Sequence, residues 1–315
     1  MKLTMFITHK TFFSSAAMVA LFFTTCGAAS SPIEVTIPDE PTAAMQTIVD
    51  EVIAGNCSIL WRAMPASYQK DINSIAQLAG SKFDPEIYDN SFALFGRLAE
   101  VANKQKVFIL NTSLGGEQLA EQIAEIEPAW ASIIGLVQTV VASSISSSAG
   151  LRAFDGQVFS EQTLPAVFKY SNGLAVLSKE ENPFGSLEFD SMKTLEKTDT
   201  TAVLEITFTK SSVKTTNFTK VENRWVTTEI ANDWGTEIAA IKKQLEAISS
   251  EEIAKKKPQL MYMITLIDGI VTQLNAAETQ AQFDQAIKAA IIPIGLLIMQ
   301  CKEWGISAPM KLLAP

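Results

Sequence analysis

Two serine–lysine pairs at a spacing of three, Ser67/Lys70 and Ser211/Lys214, are the first places to look for chemistry. On a helix this spacing puts both side chains on one face, where a lysine amine can take the proton of a serine hydroxyl. Hydrolases that use a serine–lysine pair in this way also carry a Lys-Thr-Gly strand, and none follows here. The nearest strings are Lys197-Thr198-Asp199 and Lys214-Thr215-Thr216. Roughly two such pairs are expected by chance in a chain of this length, so neither is assigned a catalytic role. Glu117, Glu121 and Glu125 fall four apart. Gathering like charges on one helix face costs a few tenths of a kcal/mol per pair and suits a cation or a basic partner. Gly115-Gly116 precedes them, however, and acids at a helix N-terminus are favoured by its dipole, so the stripe reads as a solvated face. Those two glycines lack the Lys-Ser/Thr of a phosphate loop, and no EF-hand spacing occurs. Lys255–Lys257 before Pro258 reads as a helix C-terminus, and Asn232-Asp233 before Trp234 as an N-cap.

Histidine and cysteine narrow the chemistry further. The sole histidine is His9, near the start of the chain. Once the leader is removed, Ser-His-Asp and Cys-His catalysis, His-ligated metals and His-based pH switching are excluded. The cysteines are Cys26, Cys57 and Cys301. Cys57 and Cys301 alone cannot build a Cys-rich zinc or iron–sulfur centre. No catalytic residue, metal site or cofactor is therefore expected.

The elements that would position any site begin after a secretory leader. In residues 1–25, Lys2 and Lys10 precede the apolar run AAMVALFF at 16–23, which is too short to span a membrane. Phe23-Thr24-Thr25-Cys26 followed by Gly27 resembles the lipobox of exported bacterial lipoproteins, with Phe and Thr at positions where Leu and Gly or Ala are usual. The resemblance implies lipidation of Cys26 and a location in the cell envelope, membrane-anchored and facing the periplasm. Ordinary cleavage after Ala29 is the alternative and would give a soluble periplasmic or secreted protein. Residues 26–41, rich in Pro, Ser and Ala, read as a flexible tether. Losing Lys2 and Lys10 leaves 23 cations against 34 acids, a net charge of −11. Such a chain suits neither nucleic acid nor anionic lipid, so membrane contact is expected through the anchor only.

From Thr42 the apolar period is helical. Val49, Ile53, Cys57 and Leu60 mark a first helix. A second runs from Pro65 through Tyr68, Ile72, Ile75 and Leu78 and ends at Gly80. A third starts at Asp84-Pro85. Residues 107–150 hold two more, split at Pro128, the second of which (WASIIGLVQTVVASSI) reads as a core helix. The serine-rich stretch 143–150 is the expected boundary between a helical segment, 42–150, and an α+β segment, 151–315. The alternative is that the two form one compact unit. After a helical stretch near 163–180, Thr- and Val-rich runs at roughly 187–228 read as an antiparallel meander, with Asn223 in its last hairpin and Trp225 on the strand beyond. Helices then resume at Asp233, Leu260 and Phe283, the last with Pro293 inside it. The expected class is α+β, mostly helical, with one small meander between two helical segments.

FTKVENRWVTTEIANDW (218–234) is similar to the last hairpin of NTF2-like domains and other small exported proteins. That similarity concerns core packing and carries no functional residue across. Two functional classes follow. One is a non-catalytic envelope protein that binds an envelope component or ligand of unknown identity. The other is a carboxylate-dependent enzyme such as a glycosidase, whose paired acids only a fold could reveal. Cys57 and Cys301, each on an apolar stripe in an oxidising compartment, are a candidate disulfide that would contribute on the order of 5 kcal/mol. The alternative is two separate buried thiols.

Overall fold

The computed structural model describes residues 35–112, 114, 116–177, 189–208 and 213–303. The leader, the lipobox with Cys26, Gly115 and Ser211 lie outside the described residues. The fold is α+β: among the described residues, ten α-helices with three 3-10 turns between and after them, a four-stranded antiparallel sheet, and three long helices. The helices are α1 Pro41–Ile53, α2 Ser58–Ala63, α3 Ala66–Lys82, α4 Pro85–Lys104, α5 Lys106–Leu110, α6 Gly116–Ile126, α7 Trp130–Ala142, α8 Ser148–Arg152, α9 Gly156–Gln162 and α10 Leu164–Gly173. Then come β1 Phe189–Lys197, β2 Thr201–Phe208, β3 Val213–Val221 and β4 Arg224–Thr227. Helices α11 Thr228–Glu246, α12 Ser250–Ala276 and α13 Gln280–Glu303 follow.

The sheet is a simple meander in the order β1-β2-β3-β4. Its inner face follows from strand alternation: Ala202 and Leu204 on β2, Phe218 on β3 and Trp225 on β4 point the same way and are buried. Ala202 stands opposite Phe218 in register. These side chains meet Ile48, Val52, Ile59 and Leu60 of α1 and α2, and Phe168 of α10, in the main core. The β3–β4 turn places Glu222 at φ 48° and Asn223 at φ 62°, the paired positive φ of a tight hairpin. The Glu222 carboxylate reaches across to accept the backbone N–H of Ser67 at 3.0 Å, capping α3.

Several expectations change in three dimensions. The first helix is two: it breaks at Gly55, whose φ of +98° only glycine adopts cheaply, and Ile53 is exposed. Gly80 does not end the second helix. A Cβ there would meet the Arg152 backbone nitrogen at 2.6 Å and Leu151 Cβ at 2.7 Å, so Gly80 lets α8 lie directly on α3. The serine run is a packed corner: Tyr88 donates to the Ile145 carbonyl at 2.6 Å, and Asp89 accepts the Ser148 N–H at 2.6 Å. The last part of the expected tether, Val35–Glu40, is a docked strap. Ile37 packs on the core, Trp225 Nε1 donates to the Asp39 carbonyl at 2.8 Å, and Lys220 pairs with the Asp39 carboxylate. Asn232-Asp233 lie inside α11, which begins directly at the end of β4. Lys255–Lys257 and Pro258 lie inside α12.

Helices α4 and α12 run parallel, joined in register by Lys257–Asp84 at 3.0 Å, Arg97–Asp268 at 2.6 Å and Gln105 Nε2 to the Leu274 carbonyl at 2.9 Å. Leu94, Val101 and Val271 form a second core between them. Helix α13 buries Phe283, Ala290 and Leu297, one every seven residues, and leaves Ile291, Ile292, Leu296 and Met299 exposed on its other side. By length and composition Gln280–Gln300 is apolar enough to cross a membrane, and 17% of that window is buried.

Candidate functional site: an aromatic-walled apolar cavity

Seven elements converge on a half-open cavity of about 320 Å³, bounded by α1, α2, α3, α9, α10, the β3–β4 hairpin and α11. Three of the five tryptophans, Trp61, Trp225 and Trp234, stand in its wall with Tyr68 and three phenylalanines. None of the lining residues is charged. Three polar groups of the wall are already engaged. Ser160 Oγ donates to the Gln157 carbonyl at 2.7 Å, the Trp225 indole to Asp39, and the Trp234 indole to Asp71 Oδ2 at 3.2 Å. Burial, and after it the Glu222 charge, raises the Tyr68 phenol above its ordinary pKa, so it stays neutral. Such a lining suits an apolar group.

Local sequence explains how the wall is held. Asp155 caps α9 by accepting from Gln157 N at 2.8 Å and Val158 N at 3.3 Å. The Gly156 N–H donates to Asn73 Oδ1 of α3 at 2.8 Å, which seats α9 against that helix. Gly156 then lies flat on Trp61: a Cβ there would sit 2.1 Å from the indole Cη2. At the rim, Trp234 stacks on Tyr68 with centroids 4.0 Å apart and planes 11° apart. Asp71 ties this rim down, accepting from the indole through Oδ2 and from Lys242 Nζ through Oδ1 at 2.9 Å.

The Lys242 hydrogen bond, opposed by desolvation and aided by the indole N–H, holds the Asp71 carboxyl below its ordinary pKa. A depressed folded value means that this contribution is complete above the unfolded carboxylate pKa of about 3.9 and is lost as pH falls through the lower folded value. Tryptophan emission is therefore expected to change on acidification below about pH 4 as the rim loosens. In Asp71→Asn that step should be absent, and an unchanged step would show that Asp71 does not hold the rim.

The residues singled out by sequence are scattered. Ser67 serves the α3 N-terminus, bonded to Glu222, and Ser211 is outside the described residues. Glu121 and Glu125 are exposed on α6, which also carries Glu117. Lys255 pairs with Glu251, and Lys257 with Asp84 and Glu86. Cys57 is 1% exposed and disulfide-bonded, so it has no S–H to donate to the Gly55 carbonyl 3.7 Å from its sulfur. Cys301 lies in the last turn of α13. Among the described residues no group of three or more His, Cys, Asp or Glu is placed to hold a metal. The cavity itself was not read from sequence, because its walls look like ordinary core stripes. Comparison with protein-family models, with curated proteins and with solved structures finds no match.

Proposed function

We propose that this chain is an exported, lipid-anchored and non-catalytic protein of the bacterial cell envelope that takes an uncharged apolar ligand, or the apolar part of one, into the aromatic-walled cavity. The observation that carries this reading is the cavity's combination of size and chemistry. About 320 Å³ lies within the usual range of ligand pockets, roughly 300–1,000 Å³. It is about twice the ~150 Å³ cavity that accommodates benzene in a well-known lysozyme variant. A glycosidase site needs paired carboxylates, and no Asp or Glu lines this cavity.

Titration with a neutral apolar fluorophore such as N-phenylnaphthylamine is expected to give saturable one-to-one binding, displaced by long-chain alcohols. Ala63→Phe, which builds a ring into the space, should abolish binding while leaving the melting temperature equal or higher. Undiminished binding by that variant would overturn the assignment.

The anchor is tested by mass spectrometry of the mature N-terminus under non-reducing conditions. The chain has three cysteines, and Cys57 is disulfide-bonded. A sulfur that carries a diacylglyceryl thioether cannot also form a disulfide, so lipidation of Cys26 requires Cys301 as the partner of Cys57. The expected result is a lipidated Cys26 peptide together with a Cys57–Cys301 peptide. A Cys26–Cys57 peptide would overturn both assignments, and a free N-terminus at Ser30 would overturn the anchor.

A further inference from the structure

Helix α2 has two sides. Leu60, Trp61, Ala63 and Met64 line the cavity, and with about 100° between successive residues Arg62 falls on the opposite side. There its guanidinium donates once, from Nη1 to the Val35 carbonyl of the strap at 3.4 Å. Arg62 Nε and Nη2 are buried and, among the described residues, have no hydrogen-bond partner. These two N–H groups share one edge of the guanidinium plane, the edge that forks side-on onto two oxygens of a single oxyanion. Buried N–H groups without an acceptor are costly, and although Arg62 as a whole is part-buried, these two call for an explanation.

A second arginine stands at the same place. Arg224 Nε donates to the Arg62 carbonyl at 3.1 Å, which ties β4 to this turn of α2. The other two arginines of the chain are served: Arg97 pairs with Asp268, and Arg152 donates to the Gly80 carbonyl. Among the described residues neither Arg62 nor Arg224 pairs with a carboxylate, in a chain with 34 acids against 25 bases. The two acids on the neighbouring strap are taken elsewhere. Asp39 pairs with Lys220, and Glu40 accepts from Ala43 N at 2.8 Å and Thr194 Oγ1 at 3.3 Å.

We propose that Arg62, with Arg224 beside it, is an oxyanion seat that takes a carboxylate or phosphate group side-on through Nε and Nη2. It is separate from the cavity on the other side of α2. The long bond to Val35 is the point at which the strap yields to admit the anion.

The test uses the mature full-length protein, titrated calorimetrically and followed by thermal shift with acetate, with inorganic phosphate and with chloride at constant ionic strength. One-to-one binding of acetate or phosphate is expected, with a raised melting temperature. The better of the two defines the ligand group, and chloride, a single acceptor atom that the two N–H groups must share, should bind more weakly and raise the melting temperature less. Arg62→Gln and Arg62→Lys should each weaken binding roughly tenfold or more, since lysine keeps the charge but not the fork. Arg97→Gln should leave it unchanged. Unaltered binding of the neutral fluorophore by Arg62→Lys keeps a folding failure distinguishable from a lost seat. The proposal is overturned if chloride reproduces the shift, if Arg62→Lys binds the oxyanion as the parent does, or if the folded parent responds to neither acetate nor phosphate.

Discussion

Replacing Phe168 by alanine is expected to cost about 3–5 kcal/mol, the usual range for a fully buried aromatic ring. Phe168 is 0% exposed and sits where α10 meets α1, α2 and the inner face of the sheet. Against a total stability of roughly 5–15 kcal/mol, that loss brings the protein close to unfolding at physiological temperature. Calorimetry also tests how the chain is divided. The main core draws Ile48 and Leu60 from one side of residue 150 and Phe168, Leu204 and Trp225 from the other. The second core does the same with Leu94 and Val271. One unfolding transition is therefore expected, moving as a whole to lower temperature in Phe168→Ala. Two transitions, of which only one moves, would restore the serine-rich stretch as a domain boundary.

What the sequence made legible is local. Asp84-Pro85 announces α4 because the cap and the first-turn proline lie side by side, and Asp84 does accept the N–H groups of Glu86 and Ile87. The meander is legible because Thr, Val, Ile and Phe alternate, and Glu222-Asn223 marks its last turn. The misreadings at Pro258 and Gly80 share a cause: a partner far along the chain decided them. Pro258 looks like a stop, yet α12 continues through it, because Lys257 is held by Asp84 and Glu86 and the helix lies along α4. Asn232-Asp233 look like a cap, but α11 has already begun directly after β4. Gly80 looks like a terminator and is a contact with residues 151 and 152. The cavity was illegible for the same reason. Trp61, Trp225 and Trp234 come from three elements, and an apolar stripe has the same pattern whether the space it faces is filled or empty. The strap was missed because Pro, Ser and Ala mark an absence of helical period, not an absence of contacts.

Gly156→Ala should have an effect out of proportion to one methyl group. Its new Cβ would lie 2.1, 2.3 and 2.7 Å from three carbons of the Trp61 indole, well inside contact distance. The ring is rigid and buried, so either the indole leaves its place in the cavity wall or α9 lifts off α2. Overpacking of this kind costs about 1–3 kcal/mol. Either response also deforms the cavity, so binding of the neutral fluorophore should fall roughly tenfold or more, the equivalent of about 1.4 kcal/mol. Gly235→Ala is the matched control. It lies within α11 with nothing inside 4 Å of its Cβ position, and alanine should stabilise that helix by about 0.5–1 kcal/mol without touching binding. One substitution at two sites thus carries opposite signs in stability and separates helix propensity from wall geometry. If Gly156→Ala binds the fluorophore as the parent does, the probe is not in the cavity and the proposed ligand site must be sought elsewhere.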